Sequence, residues 1–221
     1  MIDKNTISDF IVEFYTSKLH IRFGFERHRF IFIPVFISVF EEGLYLWRME
    51  ITVRLANVDD VTLISKIGYD TFYETWKDVN SPDDMDVYLK KAFNDQVIFA
   101  DILNPSNTFL IAFADNVLAG YVKIRRDRTY DELNGESAIE IERIYVYNEF
   151  HSKKVGKHLM DESIRISIDE GHKWLWLGVN VDNHKALKFY NNYGFEIFGE
   201  KNFQLGEAVD TDYLMKKKLK I

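Results

Sequence analysis

Seven residues, His151-Ser152-Lys153-Lys154-Val155-Gly156-Lys157, place three ammonium groups, an imidazole and one glycine immediately ahead of a helical apolar pattern. A helix N-terminus leaves several N–H groups unpaired and carries roughly half a unit of positive charge, so a phosphate docks there with little further help. Gly156 lets the backbone come close, and Lys153, Lys154 and Lys157 supply charge that a chain of net charge -7 otherwise lacks. A nucleoside-triphosphate loop does not fit, because Gly156-Lys157 is followed by His158 instead of Ser or Thr and the earlier glycine is replaced by His151. A dinucleotide fingerprint fails for want of glycines. The competing explanation is a lysine-rich first turn facing solvent.

A second group precedes the loop. Glu140 and Glu142 alternate onto the same face of a strand pattern, followed on that face by Ile144 and Val146. Two carboxylates beside an anion site can take protons, or they can pair with Arg143 or Arg125. Six histidines show no ligand spacing, so no metal is expected, and the absence of cysteine excludes disulfides and a cysteine acyl-enzyme.

The periodicities around these groups predict the elements that must hold them. Met49 opens a compact domain, residues 49–221, with "ITVRLA" as its first strand. A helix follows, capped by Asn57 or Asp59, with Val61, Ile64, Gly68 and Phe72 along one stripe. "SPDDMDVYLKKAFN" is a second helix with a Ser-Pro start, and residues 97–103 a short third. Two strands meet at a turn near Asp115 and Asn116, and "SAIEIERIYVYN" is a central strand. After the loop comes a helix with Met160, Ile164 and Ile168 every four residues, stopped by Gly171. "KWLWLGVNV" is a strand, Asn183 caps the next helix and Gly194 ends it, and two closing strands finish the chain. The order predicts an α/β fold: a mixed, mainly antiparallel sheet with one central parallel pair, strands 138–147 and 174–181, flanked by helices. The loop lies at the carboxyl end of that pair, where ligands sit in such units.

Residues 1–48 read differently. "RFIFIPVFISVF", residues 29–40, is too short to span a bilayer and is interrupted by Pro34. Asp3, Asp9 and Glu13 before it, and Glu41 and Glu42 after it, argue against a signal peptide. The segment is expected to be an extension dispensable to function, or an extra hairpin or helix packed on the domain or a partner subunit. The acidic balance argues against nucleic acid as a partner, no membrane partner is expected, and the lack of cysteine suits a cytoplasmic protein. Closing strands bearing Phe198 and Phe203 leave a homodimer open.

The element order, together with "ERIYVYNEFHSKKVGKHLM" and "WLGVNVDNHKALKFYNNYGFE", resembles the GCN5-related N-acetyltransferases over residues 49–221. "EIERIYV" and the closing "TDYLM" segment resemble the bacterial spermidine/spermine acetyltransferase branch. The resemblance implies acetyl-CoA as co-substrate, its pyrophosphate on a Gln/Arg-x-x-Gly-x-Gly/Ala loop. Here that loop reads His151 to Gly156, with His151 and Lys154 departing from the pattern. It further implies backbone amides near Ile144, Tyr145 and Val146 for the pantetheine, Asn183 beside the cofactor arm, and Tyr190 as proton donor to the departing sulfur. An acceptor alkylamine titrates near about 10 and needs a base. By the family's distance from the loop that base is Glu140, with Glu142 in reserve. Phe72, Tyr73 and Trp76, with Asp78, Asp83, Asp84 and Asp86, form an aromatic and acidic segment that suits a polycation. The expected activity is direct acetyl transfer to a small-molecule amine, with polyamines as acceptor. The alternatives are protein amines or another small amine, and a CoA-binding sensor or scaffold without turnover.

Overall fold

The computed structural model describes residues 49–220, apart from 134, 206 and 207, and before them the strand segments 12–15, 18–21, 36–40 and 43–47. Two compact units are distinguished, Met1–Glu50 and Ile51–Ile221. In the first, Val12–Tyr15 pairs antiparallel with Lys18–Ile21, and Phe36–Phe40 with Gly43–Trp47. The apolar run 29–40 thus ends in a described hairpin strand, while residues 29–35, Asp3, Asp9, Glu41 and Glu42 lie outside the described residues. No helix among the described residues is long and apolar enough to cross a membrane.

The second unit is built on strands β1 (Ile51–Leu55), β2 (Asn107–Ala114), β3 (Val117–Arg125), β4 (Ala138–Val146), β5 (Trp174–Asn180), β6 (Glu196–Leu205) and β7 (Ala208–Lys218). They form one sheet in the order β6-β7-β5-β4-β3-β2-β1, antiparallel throughout except for β4 and β5. Helices α1 (Val61–Trp76), α2 (Pro82–Ala92), α3 (Asp95–Leu103), α4 (Val155–Asp169) and α5 (His184–Asn192) complete it. The fold class expected from the sequence is the one found. Asp115 and Asn116, at φ 48° and 64°, make the tight β2–β3 turn from the residue types that tolerate left-handed backbone.

Asn57 caps the turn before α1 through a capping box with Asp60, whose carboxylate is also gripped by both terminal nitrogens of Arg54 at 2.7 Å. Ile64 and Ile67 of α1 then bury against Phe109, Ile111 and Tyr121 of the sheet. Burial of each such side chain stabilises the fold by about 1.5–3 kcal/mol.

Helix α4 differs in detail from its sequence reading. Its buried stripe is Val155, Leu159, Ser163 and Ser167, with Met160 beside it, whereas Ile164 and Ile168 are half-buried. Serines tolerate the sheet-facing side because each hydroxyl donates to the carbonyl four residues back, Ser163 to Leu159 at 2.8 Å and Ser167 to Ser163 at 2.7 Å. Phe198 and Phe203 are engaged within the chain. Phe198 packs edge-on to Tyr130 and Phe203 edge-on to Tyr88.

Candidate active site

The parallel pairing of β4 with β5 runs only from Ala138/Trp174 to Ile141/Leu177. Beyond it a cleft of about 870 Å³ opens, lined by residues 140–146 of β4, 177–180 of β5, the loop ahead of α4, and parts of α1, α5, β6 and β7. Over residues 142–146 the β5-side edge of β4 therefore offers backbone groups without a strand partner among the described residues. That edge and the start of α4 converge on the same space.

The loop meets the cleft as backbone more than as charge. Lys154 is the N-cap of α4 at φ 70°, ψ 5°, and Ser152 is also left-handed at φ 63°. The first intrahelical bond runs from the His158 N–H to the Lys154 carbonyl at 3.1 Å. The N–H groups of residues 154–157 thus have no main-chain acceptor among the described residues and carry the positive end of the helix dipole. The left-handed backbone of Lys154 explains why the family pattern has glycine there. Gly156 is a different case. A Cβ on it would meet Val146 Cγ2 at 3.8 Å and Phe189 Cζ at 3.9 Å, ordinary contacts, so the protein's own packing does not require glycine. A methyl group has room there, in keeping with the glycine or alanine of the family pattern, and the cleft that residues 154–157 line in front of their free amides fits a diphosphate.

The loop side chains divide. His151 turns back, its Nε2 donating to the Val146 carbonyl at 2.9 Å, which leaves Nδ1 to accept from Lys185 Nζ at 3.1 Å. Lys185 of α5 is thereby brought to the mouth, a cation the sequence reading missed. Val155 is buried, and Ser152, Lys154 and Lys157 line the cleft. Lys157 also pairs with Asp161 one turn on. Lys153 does not line it; its ammonium lies 5.1 Å over the Phe150 ring.

Strand β4 carries a bulge that strict alternation did not anticipate. Lys123 of β3 faces Arg143 and Ile124 faces Ile141, so Glu142 is an extra residue. Beyond it Arg143 and Tyr145 share the face of Glu140, lying opposite Lys123 and Tyr121 as Glu140 lies opposite Arg125. Ile144 and Val146, expected on that face, are on the other one. Ile144, Tyr145 and Val146 all line the cleft, and Tyr145 is packed among the core aromatics next to Tyr121.

The two glutamates are held differently. Glu142 Oε2 accepts from Lys123 Nζ at 3.0 Å and Arg125 Nη1 at 3.2 Å. Burial would raise its pKa, but Lys123, Arg143 and Arg125 together hold it below the usual carboxylate range. Glu140 is 2% exposed, its Oε2 has no hydrogen-bond partner among the described residues, and Arg128 is 4.0 Å from Oε1. Burial pushes its pKa up, with Arg128 opposing and Glu142 adding to the rise. A carboxylate with a free oxygen and a raised pKa is the better proton acceptor of the pair.

Tyr190 of α5 lines the cleft with its ring packed against Phe189 and Phe195, centroids 5.5 and 5.8 Å away. Burial raises its pKa well above the ordinary tyrosine range, so the phenol stays neutral, a hydrogen-bond donor. Asn183 caps α5, accepting from the Ala186 N–H at 3.1 Å, and also lines the cleft.

At the acceptor end, Phe72 and Trp76 of α1 line the cleft with Tyr88 of α2 and Phe203 of β6. Phe72 stacks on Tyr88 at 4.6 Å. Tyr73 and Asp86 line a separate groove between α1 and α2, and Asp78, Asp83 and Asp84 do not line the cleft. The acidic run is explained by its helix, since Ser81 accepts from the Asp84 N–H and Asp86 pairs with Lys90. The carboxylates that do line this end are Asp210 and Asp212 of β7, accompanied by Lys201 and Arg128. Sequence reading missed these. Their signal was the cross-strand pairing of Lys201 with Asp212, legible only once the closing hairpin has a register. No group of His, Cys, Asp and Glu among the described residues could hold a metal ion.

Comparison with known proteins gives a consistent picture. Residues 69–195 match the acetyltransferase (GNAT) family. The chain is 35% identical over 157 residues to an uncharacterized N-acetyltransferase in the pepI 3′ region of Lactobacillus delbrueckii subsp. lactis, covering 69% of this chain and 88% of that protein. It is 23% identical to the spermidine N(1)-acetyltransferase of Thermoplasma acidophilum over 77% of this chain and 98% of that one. Among solved structures, the PaiA N-acetyltransferase from Thermoplasma acidophilum in complex with coenzyme A superposes with a TM-score of 0.63 at 23% identity, covering 77% and 99% of the two chains.

Proposed function

The chain belongs to the acetyltransferase (GNAT) family, and on that premise we propose that its cleft passes the acetyl group of acetyl-CoA directly to a primary amine of a polyamine such as spermidine or spermine, both substrates being bound at once. That it is an acetyl-CoA-dependent acyltransferase follows from the family. The acceptor and the roles of single residues are the proposal. Acetyl-CoA supplies the activated acetyl thioester.

The observation that carries the reading is the end of β4–β5 pairing at Ile141 and Leu177, with Glu140 at that point and free α4 amides close by. The N–H groups of residues 154–157 hold the diphosphate, with Lys154 and Lys185 adding charge; the unpaired edge of β4 over residues 142–146 takes the amides of the pantetheine arm and polarises the carbonyl under attack. Glu140 accepts the proton of the acceptor ammonium, directly or through water. Tyr190 donates to the departing sulfur. Aromatic rings at Phe72, Trp76, Tyr88 and Phe203, with Asp210 and Asp212, support a cationic acceptor. The likeness to the distant spermidine N(1)-acetyltransferase of Thermoplasma acidophilum supports a polyamine. Residues 49–221 form the catalytic domain in this reading, residues 1–48 an extension, and the enzyme is cytoplasmic.

The test is thiol release from acetyl-CoA with and without spermidine, together with mass detection of an N-acetylated product. Amine-dependent release and a product heavier by one acetyl group are expected. Coenzyme A binding without thiol release for any amine would identify a non-catalytic binding module instead.

A further inference from the structure

Lys201 of β6 lies directly across from Asp212 of β7, which in turn faces Asn180 of β5. Its side chain is only 27% exposed. Instead of running out to solvent it crosses to β5: a Cβ on Gly178 would stand 2.9 Å from both Cε and Nζ of Lys201 and 3.5 Å from Asp212 Oδ2. Only the missing side chain of Gly178 leaves room for the ammonium to rest on that backbone. Gly178 is the residue after Leu177, where pairing with β4 stops. A positive charge tethered to the fold is therefore seated at the inner end of the acceptor region, 3.8 Å from Asp212 and within the field of Glu140.

At 3.8 Å the Lys201–Asp212 pair is an ion pair without a close hydrogen bond. Such a partner is displaceable, because a four-carbon stem can swing aside while another ammonium approaches Asp212 more closely. We infer that Lys201 is a specificity-determining residue: its ammonium holds the place beside Asp212 that the non-reacting cation of a di- or polyamine takes, and such an acceptor binds by displacing it. The inference rests on reading this end of the cleft as an amine site. Its consequence is selectivity. An acceptor with one cationic group reacts without disturbing Lys201, whereas an acceptor with a second cation exchanges one charge for another and gains little from Asp212 unless its spacing is right.

The experiment is calorimetric titration of spermidine and of butylamine into protein saturated with coenzyme A, for the native chain, Lys201→Met, Lys201→Arg and the double variant Lys201→Met with Asp212→Asn. Lys201→Met should tighten spermidine binding about tenfold more than butylamine binding, since the added interaction is one ammonium with one uncovered carboxylate. Lys201→Arg should keep the native ratio, and the double variant should lose the gain. Equal changes for the two amines, weaker spermidine binding by Lys201→Met, or no binding of either amine would overturn the inference. Thiol release in parallel keeps the two readings apart: a shifted ratio without turnover removes the proposed reaction and leaves the role of Lys201 standing.

Discussion

The ammonium of Lys123 lies 3.0 Å from Oε2 of Glu142, the residue that bulges β4. The same nitrogen is 2.7 Å from Asp101 of α3, and the lysine side chain is only 4% exposed. One buried cation thus ties a helix on the face of the sheet to the irregularity that turns Arg143 and Tyr145 toward the cleft. Lys123→Met leaves two carboxylates without their main partner and should cost about 3 kcal/mol at neutral pH, read from urea unfolding. The pH dependence follows from Glu142, whose folded pKa is depressed. Its contribution is present above the ordinary glutamate pKa and is lost as pH falls through the lower, folded value. The gap between native chain and variant should narrow on acidification; a gap constant from pH 7.5 to pH 4 would contradict the assignment.

Glu140→Gln should lower kcat by about a hundredfold or more, the usual range for removing a general base. The raised pKa of Glu140 means that in the native enzyme activity rises with pH through a value above that of an ordinary glutamate. The same limb should be missing in the variant. Stability moves the other way. A carboxylate with a raised folded pKa stabilises the fold below its unfolded pKa and loses that contribution as pH rises through the folded one. At pH 7.5 the glutamine variant should therefore melt no lower than the native chain. A variant that melts lower and keeps its activity would make Glu140 structural.

Tyr190→Phe removes one hydroxyl and leaves the packing against Phe189 and Phe195 in place. Turnover should fall at least about tenfold while coenzyme A affinity changes less than about threefold, the pattern of an interaction made only in the transition state. Stopped-flow thiol release with calorimetric binding separates the two quantities. An unchanged rate would return Tyr190 to the core.

Gly156→Ala and Lys154→Gly probe the loop from opposite sides. Alanine at 156 meets no close protein atom and gains about 1 kcal/mol of helix propensity, so melting temperature should hold or rise. Coenzyme A affinity should hold as well, the family pattern admitting glycine or alanine here, whereas Gly156→Asp should lower it at least about tenfold by setting a carboxylate against the diphosphate. Glycine at 154 relieves a left-handed backbone that costs roughly 1–2 kcal/mol for a residue with a Cβ. It should raise the melting temperature, while loss of the exposed Lys154 ammonium weakens coenzyme A binding only by roughly threefold. Gly156→Asp binding coenzyme A as tightly as the native chain would place the diphosphate elsewhere.

Much of this architecture was legible in the sequence because it is local. The Asp115–Asn116 turn, the Asn183 cap and the Ser81-Pro82 start are each specified by residues within a few positions of one another. What escaped depends on register. The extra residue at Glu142 exists only relative to β3, and strict alternation carried past it put Ile144 and Val146 on the wrong face. The buried serines of α4 look polar until their hydroxyls are seen to be satisfied within the helix. The run Asp83-Asp84-Asp86 attracted attention as charge, although its helix start accounts for it, while Asp212 and Lys201 gain their meaning from strands adjacent in space.

The brevity of the β4–β5 ladder has a further consequence. A ladder that stops at Ile141 and Leu177 leaves, along the last residues of β4, an edge whose amide protons exchange with solvent sooner than those of Ile139 or Ile141. A bound chain that offers its own amides would complete that edge as a guest strand does, so deuterium uptake along residues 142–146 becomes a clock for how long the arm stays in place.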